Sequence, residues 1–402
     1  MVIINKSEIV YLLYHFPVAL STPFISWYFF NISGGDFLGA GFIISIPYIA
    51  FIFSTAFFGR LSDIIGSKNL ISFALLMQAA SFIVYYNIST PWIFFFAYIG
   101  FNVLISAFSP AYNRYISVTT ELTDQSKQGN VFGRLTMWAS LGFFLGSVLA
   151  TVLLDSDGKD FQPLFLTAAF FSIIALCGVI LLDSEKRILN KNNINKSVSN
   201  SINVESTPII ESLKPIVVLL FLVLITQVSV ALYSSFFTIY IDSELNQPVN
   251  LAAVANSIAT IIGMVVSFIV GKALTAGFAK KRVILIGLTI YFVLPTLTYI
   301  FADNALIVIA LYCIPGYSTF FVVAPVVISE NTYTEMRGLA MGLYSAFTFG
   351  GQALGTLISA YMADYFGIIK HNFLLAGIMS FLGILISLLF FKDRKMKNSY
   401  LL

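Results

Sequence analysis

The sequence predicts an all-α membrane protein with twelve transmembrane helices arranged as two six-helix halves. Three observations carry this expectation. Of 402 residues, 58% are hydrophobic and only 10% charged, whereas a water-facing domain carries about 25% charged residues. The mean hydropathy is +0.90. The apolar residues gather into twelve runs, each able to cross about 30 Å of hydrocarbon as a helix, and a polar stretch rich in Asn and Ser, 183–214, divides them six and six.

The first half, 1–182, holds runs 9–30, 37–58, 69–88, 92–111, 131–154 and 164–182. Run 9–30 is too long for a signal-peptide core and lacks a small-residue cleavage site, so it is expected to stay as a helix. Residues 183–214 form a polar linker without the periodicity of a packed element. The second half, 215–402, holds runs 215–240, 251–271, 283–301, 306–329, 339–366 and 373–391. Orientation follows from the basic residues. With the amino terminus in the cytoplasm, every Lys and Arg except Lys159 and Lys370 falls on the inner side, as the positive-inside rule requires. The outer loops carry acids instead, among them Asp36, Asp155, Asp242, Glu244 and Asp303. Both tails and the linker are therefore expected inside a cell membrane.

The halves repeat. Gly129, Gly133, Gly142 and Gly146 recur as Gly338, Gly342, Gly351 and Gly355 at one constant displacement. Such glycines let membrane helices approach closely, and packing is their expected role. An internal duplication is the mark of a parallel-repeat carrier.

Composition also excludes several chemistries. His15 and His371 lie in different segments, and Cys177 and Cys313 sit within apolar runs, so no metal site and no cofactor are expected. Nucleotide-binding and esterase motifs are absent, and a membrane-embedded enzyme would need clustered His, Asp and Glu at one face. The chain is not expected to be an enzyme. A net charge of +3 spread over scattered basic residues points to no nucleic-acid partner.

No Asp, Glu, Lys or Arg falls near the middle of a run. Asp63, Arg114, Arg134, Glu330, Arg337 and Asp364 stand at run ends. Intramembrane charges usually mark coupling sites, so the deep titratable candidate is His15, two turns into the first helix. A lone membrane histidine is more often a hydrogen-bonded packing residue; its alternative role is to carry a coupling proton. The polar residues that enter the membrane form stripes at helical spacing. These run through His15, Thr22 and Ser26 in the first helix, Asn102, Ser106, Ser109 and Asn113 in the fourth, and Gln227, Ser234 and Thr238 in the seventh. Asn256 and Thr260 mark the eighth, and Ser345, Gln352 and Thr356 the eleventh. Small hydroxyl residues serve packing as readily as a cavity. Carboxamides need two donors and an acceptor satisfied, which a watered cavity does easily.

Between runs two and three lies Gly59-Arg60-Leu61-Ser62-Asp63-Ile64-Ile65-Gly66-Ser67-Lys68, expected as a tight charged loop at one membrane face. It resembles the signature loop of the major facilitator superfamily (MFS). Gly59, Leu61, Asp63, Gly66 and Lys68 match that pattern, whereas Ile64 stands at a usually basic position. The resemblance implies the MFS fold, with helices one, four, seven and ten around a central cavity and two, five, eight and eleven between the halves. Asn102 and Gln227 would then face the cavity beside Tyr233 and Tyr317, with Asn256 and Gln352 at its edge; His15 and Ser106, from the stripes above, are the further cavity candidates. Pro17, Pro23, Pro110, Pro315 and Pro325 fall in helices one, four and ten, where they bend the backbone. Segment 227–281 also resembles the sugar-efflux branch, without the intramembrane acids expected there.

Asp63 sits one turn beyond Gly59 at the inner face, too shallow for coupling. Its expected role is a latch against the amino-terminal end of the eleventh helix, where unpaired N–H groups attract a carboxylate. Gly59, Gly66 and Lys68 complete that loop, and Arg134 and Arg337 add charged partners. The expected activity is alternating-access transport of a small, neutral or amphipathic, drug- or sugar-like solute, outward, by a monomer in the lipid bilayer. Uptake or facilitation of a nutrient is the alternative direction. A sensor or scaffold without turnover is the alternative class, and it would need a folded regulatory domain that a 32-residue linker does not supply.

Overall fold

In the computed structural model, residues 6–120, 128–154, 161–182, 216–332 and 337–391 are described. Among them every regular element is helical. The order is α1 Lys6–Ile32, α2 Phe37–Ile65, α3 Ser67–Tyr86, α4 Pro91–Ile105, α5 Phe108–Thr120, α6 Gln128–Leu153 and α7 Gln162–Gly178, which runs on as a 3₁₀ turn over Val179–Leu181. Then follow α8 Val217–Ser234, α9 Phe237–Ser243, α10 Asn250–Thr275, α11 Lys280–Ile300, α12 Ala305–Tyr312, α13 Tyr317–Asn331, α14 Arg337–Phe366 and α15 Lys370–Phe390.

Among the described residues ten spans, counting α4–α5 and α8–α9 as one each, are long and apolar enough to cross a membrane. Two expected spans do not reach that standard. The α12–α13 pair is interrupted at Cys313–Gly316, where the Pro315 ring displaces the helical path at residue 311, and only Thr319–Ile328 is strongly apolar. Helix α14 has 30 residues, about 45 Å of helix, but dilutes its apolar content with Gly, Ser and Thr. Large side chains on the bundle's outside are apolar, as hydrocarbon requires: Phe53, Trp92, Leu306 and Leu389 are exposed.

The expected loop 59–68 is corrected by the structure. Helix α2 continues through Ile65, and the chain breaks only at Gly66. Nothing from Arg60 to Ile65 disfavours a helix, whereas Gly66 takes φ 86°, a left-handed value that glycine adopts without a Cβ penalty. The Gly66 N–H donates to Ser62 O at 3.1 Å, closing α2, and α3 starts at the next residue. The fourth expected helix is likewise broken, into α4 and α5 at Ser106–Ala107. Pro110 accounts for this: it supplies no N–H and its ring crowds the carbonyl of Ser106, four residues back.

Glycine sets the tightest packing. A Cβ on Gly142 would lie 2.5 Å from Leu12 O, and one on Gly146 would lie 2.4 Å from Phe16 O, so α6 seats directly on the α1 backbone. The same contact recurs later. A Cβ on Gly351 would lie 2.6 Å from Leu224 O, and one on Gly355 would lie 2.5 Å from Val228 O, seating α14 on α8. The repeat expected to serve packing does so at these four positions. Gly342 has open space beside it, and Gly129, Gly133 and Gly338 lie where side-chain surroundings are not described.

The two ends of the bundle differ. At one end, called here the terminal end, lie the start of α1, the α2–α3 break, the end of α7 and the start of α6: Arg134 pairs with Glu8, and the Lys68 ammonium donates to Leu182 O at 2.5 Å. At this end the first seven helices and the last eight keep separate apolar cores, around Leu70, Ala74 and Tyr112 and around Leu219, Ile284 and Phe320. At the far end one core, including Phe24, Phe94, Phe165, Phe236, Tyr240 and Phe373, runs through both sets. Among the described residues, the apolar core shared by both sets lies at the far end.

Candidate solute cavity

A cavity of about 450 Å³ occupies the middle of the bundle. Helix α1 contributes Tyr14, His15, Ser21, Thr22 and Ser26; α2 contributes Tyr48 and Phe51; α3 contributes Gln78, Ser81 and Tyr85; α4 contributes Tyr98 and Asn102. Phe143 of α6, Ser234 of α8, Thr238 of α9, Asn256 of α10, Tyr312 of α12 and Phe349 of α14 close the ring. A smaller cavity of about 200 Å³ adjoins it towards the terminal end, lined by Tyr11, Ser106, Ser109 and Asn113. The two share Tyr14, His15, Phe51 and Phe349, an aromatic layer between them. In that layer Tyr14 stacks on Phe108 at 3.6 Å, and Phe51 meets Phe349 edge-on at 5.1 Å across the two helix sets. No Asp, Glu, Lys or Arg among the described residues lines either space.

The helix breaks position the polar groups. Helix α9 is displaced from α8 at Ser235–Phe236, which turns the Ser235 carbonyl towards α1. There Ser26 Oγ donates to Ser235 O at 3.4 Å, and Thr238 Oγ1 donates to Pro23 O at 3.0 Å. Pro23 stands to Ser235 as Ser26 stands to Thr238 along the repeat, so the two bonds are mates of one pseudo-two-fold contact. Just beyond, the Trp27 indole N–H donates to the Asp242 carboxylate at 2.8 Å. A Cβ on Gly41 of α2 would lie 2.2 Å from the Ala360 Cβ of α14, so no gap remains there either. These contacts close the cavity towards the far end.

The expected cavity residues divide. His15, Asn102 and Asn256 line the main cavity and Ser106 the smaller one. The Asn102 amide donates to Tyr98 O at 2.8 Å; Asn256 donates to Ala252 O at 3.0 Å and accepts from the Tyr312 hydroxyl at 3.3 Å. Gln227, 1% exposed, lines neither space. Its Cβ lies against Gly351 as the His15 Cβ lies against Gly142, so it is the counterpart of His15 in the second helix set, turned into the α8–α14 contact. Tyr233 points into its own set, hydrogen-bonded to Thr298 at 3.1 Å and packed on Phe373. Gln352 is half-buried and lines neither space. The Tyr317 side chain lies outside the described residues.

The expected latch residues are placed as follows. Arg134 makes a two-pronged ion pair with Glu8, 2.8 and 2.9 Å, within the first helix set. Lys68 donates to Ile180 O and Leu182 O, capping the orphan carbonyls at the end of the sixth span. Gly66 ends α2, and Arg114 donates to the neighbouring Ser62 carbonyl. The surroundings of Gly59, Asp63 and Arg337 lie outside the described residues.

Helix α3 adds a cavity face that the polar stripes do not include. Gln78, Ser81, Phe82 and Tyr85 share one face of that helix and line the cavity. Gln78 is a mid-span carboxamide like Asn102, so the same criterion applied to the third run would have found it.

An uncharged cavity enclosed by long apolar helices, closed at one end by a contact on a pseudo-two-fold, is carrier geometry. Residues 5–374 match the MFS_1 like family. The chain belongs to that family. It is an MFS transporter spanning a membrane several times, not an enzyme. Over 359 residues it is 21% identical to Multidrug resistance protein 2 of Bacillus subtilis (strain 168), covering 88% of this chain and 86% of that protein. It is 26% identical to Multidrug resistance protein MdtG of Dickeya zeae (strain Ech586), covering 61% of this chain and 59% of that protein. Among solved structures, a D-xylose-proton symporter superposes with TM-score 0.75 at 15% identity, covering 96% of this chain and 97% of the other. The nucleoside transporter NupG superposes with TM-score 0.71 at 14% identity, covering 97% of this chain and 99% of the other. The fold is thus shared by carriers of chemically different solutes.

Proposed function

We propose that this MFS transporter exports a small neutral or amphipathic organic solute by alternating access. One observation carries the reading: the central cavity is large enough for a drug-sized molecule, aromatic and amide-lined, and free of charged side chains among the described residues. Two relatives named as multidrug resistance proteins support the outward direction. In this reading twelve spans form halves 1–182 and 215–402 joined by a cytoplasmic linker, 183–214, and the terminal end faces the cytoplasm of a cell membrane because the helix ends described there carry Lys68, Arg114 and Arg134. Cysteines introduced at Ser199 and Gly158 then label from the inside and the outside respectively; the reverse pattern refutes the orientation.

Asn102 and Asn256 line the cavity from opposite sides, each with one amide hydrogen beyond the one it spends on its own helix. In proteoliposomes loaded with a neutral fluorescent solute, Asn102→Leu and Asn256→Leu are each expected to slow export about tenfold, the equivalent of one lost buried hydrogen bond. Parent rates in both variants place the solute elsewhere. Asp63 serves as the inner latch, a dipole contact of about 0.3–2 kcal/mol. Asp63→Asn is expected to raise the population open at the terminal end, read as a longer spin-label distance between the terminal ends of α2 and α14. An unchanged distance with parent transport removes the latch from the account.

A further inference from the structure

The cavity's unspent hydrogen-bonding capacity is concentrated on one wall. Both ring nitrogens of His15 are buried without a hydrogen-bond partner, and so is Oε1 of Gln78, a side chain 1% exposed. Both residues line the main cavity. The Gln78 amide nitrogen reaches Tyr14 O at 3.5 Å, which sets the carboxamide beside the residue preceding His15. Aromatic rings flank the imidazole: Tyr11 at 4.6 Å, Tyr14 at 4.9 Å and Phe143 at 5.3 Å between centroids. On the facing wall the capacity is largely used within the protein. Asn256 is bonded through both ends of its carboxamide, and Ser234 donates to Val230 O at 2.8 Å. Buried groups left without partners are costly, and side chains retained in that condition at a cavity wall are complementary to something that enters.

We propose that His15 and Gln78 form a subsite for an uncharged polar group of the solute that both donates and accepts hydrogen bonds, a secondary amide or a hydroxyl on a planar ring. A neutral imidazole presents one N–H and one bare nitrogen, and Gln78 Oε1 adds an acceptor. The group that answers them carries a donor and an acceptor within a few ångströms. The aromatic flanks select a flat neighbour for it. Among the described residues a carboxylate or phosphate finds no cation on this wall, and an ammonium finds no carboxylate. This assignment rests on the transporter reading and makes His15 a solute ligand in place of a proton carrier.

The chain contains two histidines, His15 and His371. His371 packs by the far-end loop against Phe366 and serves as an internal reference. Purified protein carrying ¹⁵N-histidine is titrated in lipid nanodiscs with acetanilide, a neutral aryl amide with an intact N–H, and with N-methylacetanilide, which lacks it. Acetanilide is expected to shift the His15 nitrogen signals saturably and leave His371 in place. N-methylacetanilide is expected to need about tenfold more ligand, as is acetanilide with the Gln78→Leu variant. Silence at His15, equal response to the two compounds, or a response untouched in Gln78→Leu overturns the subsite. If that variant does not fold, the comparison of the two compounds on the unsubstituted protein decides. The titration needs no turnover. Binding at His15 without transport refutes only the transport reading, and transport with a silent His15 refutes only the subsite.

Discussion

Gly146→Ala and Gly355→Ala are each expected to destabilise the bundle by about 2–3 kcal/mol, whereas Gly342→Ala is neutral or stabilising by up to about 1 kcal/mol. At Gly146 the added methyl meets the Phe16 carbonyl at 2.4 Å and the Ala19 Cβ at 2.8 Å; at Gly355 it meets Val228 O at 2.5 Å and the Ala231 Cβ at 2.7 Å. Those neighbours are backbone atoms or the first atom of a side chain, so no rotamer change relieves the collision. The helices must separate, and the dispersion contacts along α1–α6 or α8–α14 are lost with the close approach. Beside Gly342 nothing among the described residues lies within 4 Å, leaving the intrinsic helix preference for alanine over glycine. Thermal unfolding of the detergent-solubilised variants checks this. Equal transitions for all three would show that the repeated glycines do not set the packing.

The second large effect concerns the far-end seal. The triple variant Ser26→Ala, Trp27→Phe, Thr238→Val removes two bonds to backbone carbonyls and one charge-assisted bond to Asp242. Together these contribute about 3 kcal/mol, so the balance between far-end-closed and far-end-open states is expected to move roughly 100-fold towards opening. Spin labels at Asn31 and Ser243, both exposed near that end, are expected to move apart in the variant. Phe37, Phe236 and Tyr240 also pack there and are untouched by the three substitutions, so a distance distribution unchanged from the parent would assign the closure to this apolar core instead.

Much of the architecture was legible because the bilayer leaves few alternatives: apolar runs of sufficient length read directly as helices. The packing glycines were legible too, since Gly142, Gly146, Gly351 and Gly355 stand at helical spacing in both halves. What failed had local physical causes. Segment 59–65 looked like a loop because it is charged, yet charge does not end a helix and Gly66 does. Ser106 looked like one member of a continuous stripe, but Pro110 breaks the helix at that residue and turns it towards the smaller cavity. Gln227 and His15 occupy equivalent repeat positions, and only His15 lines the cavity. A sequence carries the repeat but not the asymmetry of the state in which the halves rest. The stripes in the first, fourth, seventh, eighth and eleventh helices leave out Gln78 and Tyr85, yet the void extends to α3.

Alternating access is tested most directly at Ser234, a cavity-lining residue beyond reach from the far end in this structure. In a variant with Cys177 and Cys313 replaced and Ser234→Cys introduced, reconstituted protein is exposed to a membrane-impermeant maleimide from one side at a time. Labelling is expected from each side in turn, with far-side labelling accelerated in the Ser26/Trp27/Thr238 variant. Labelling from one side alone, unchanged by that variant and by solute, would contradict it.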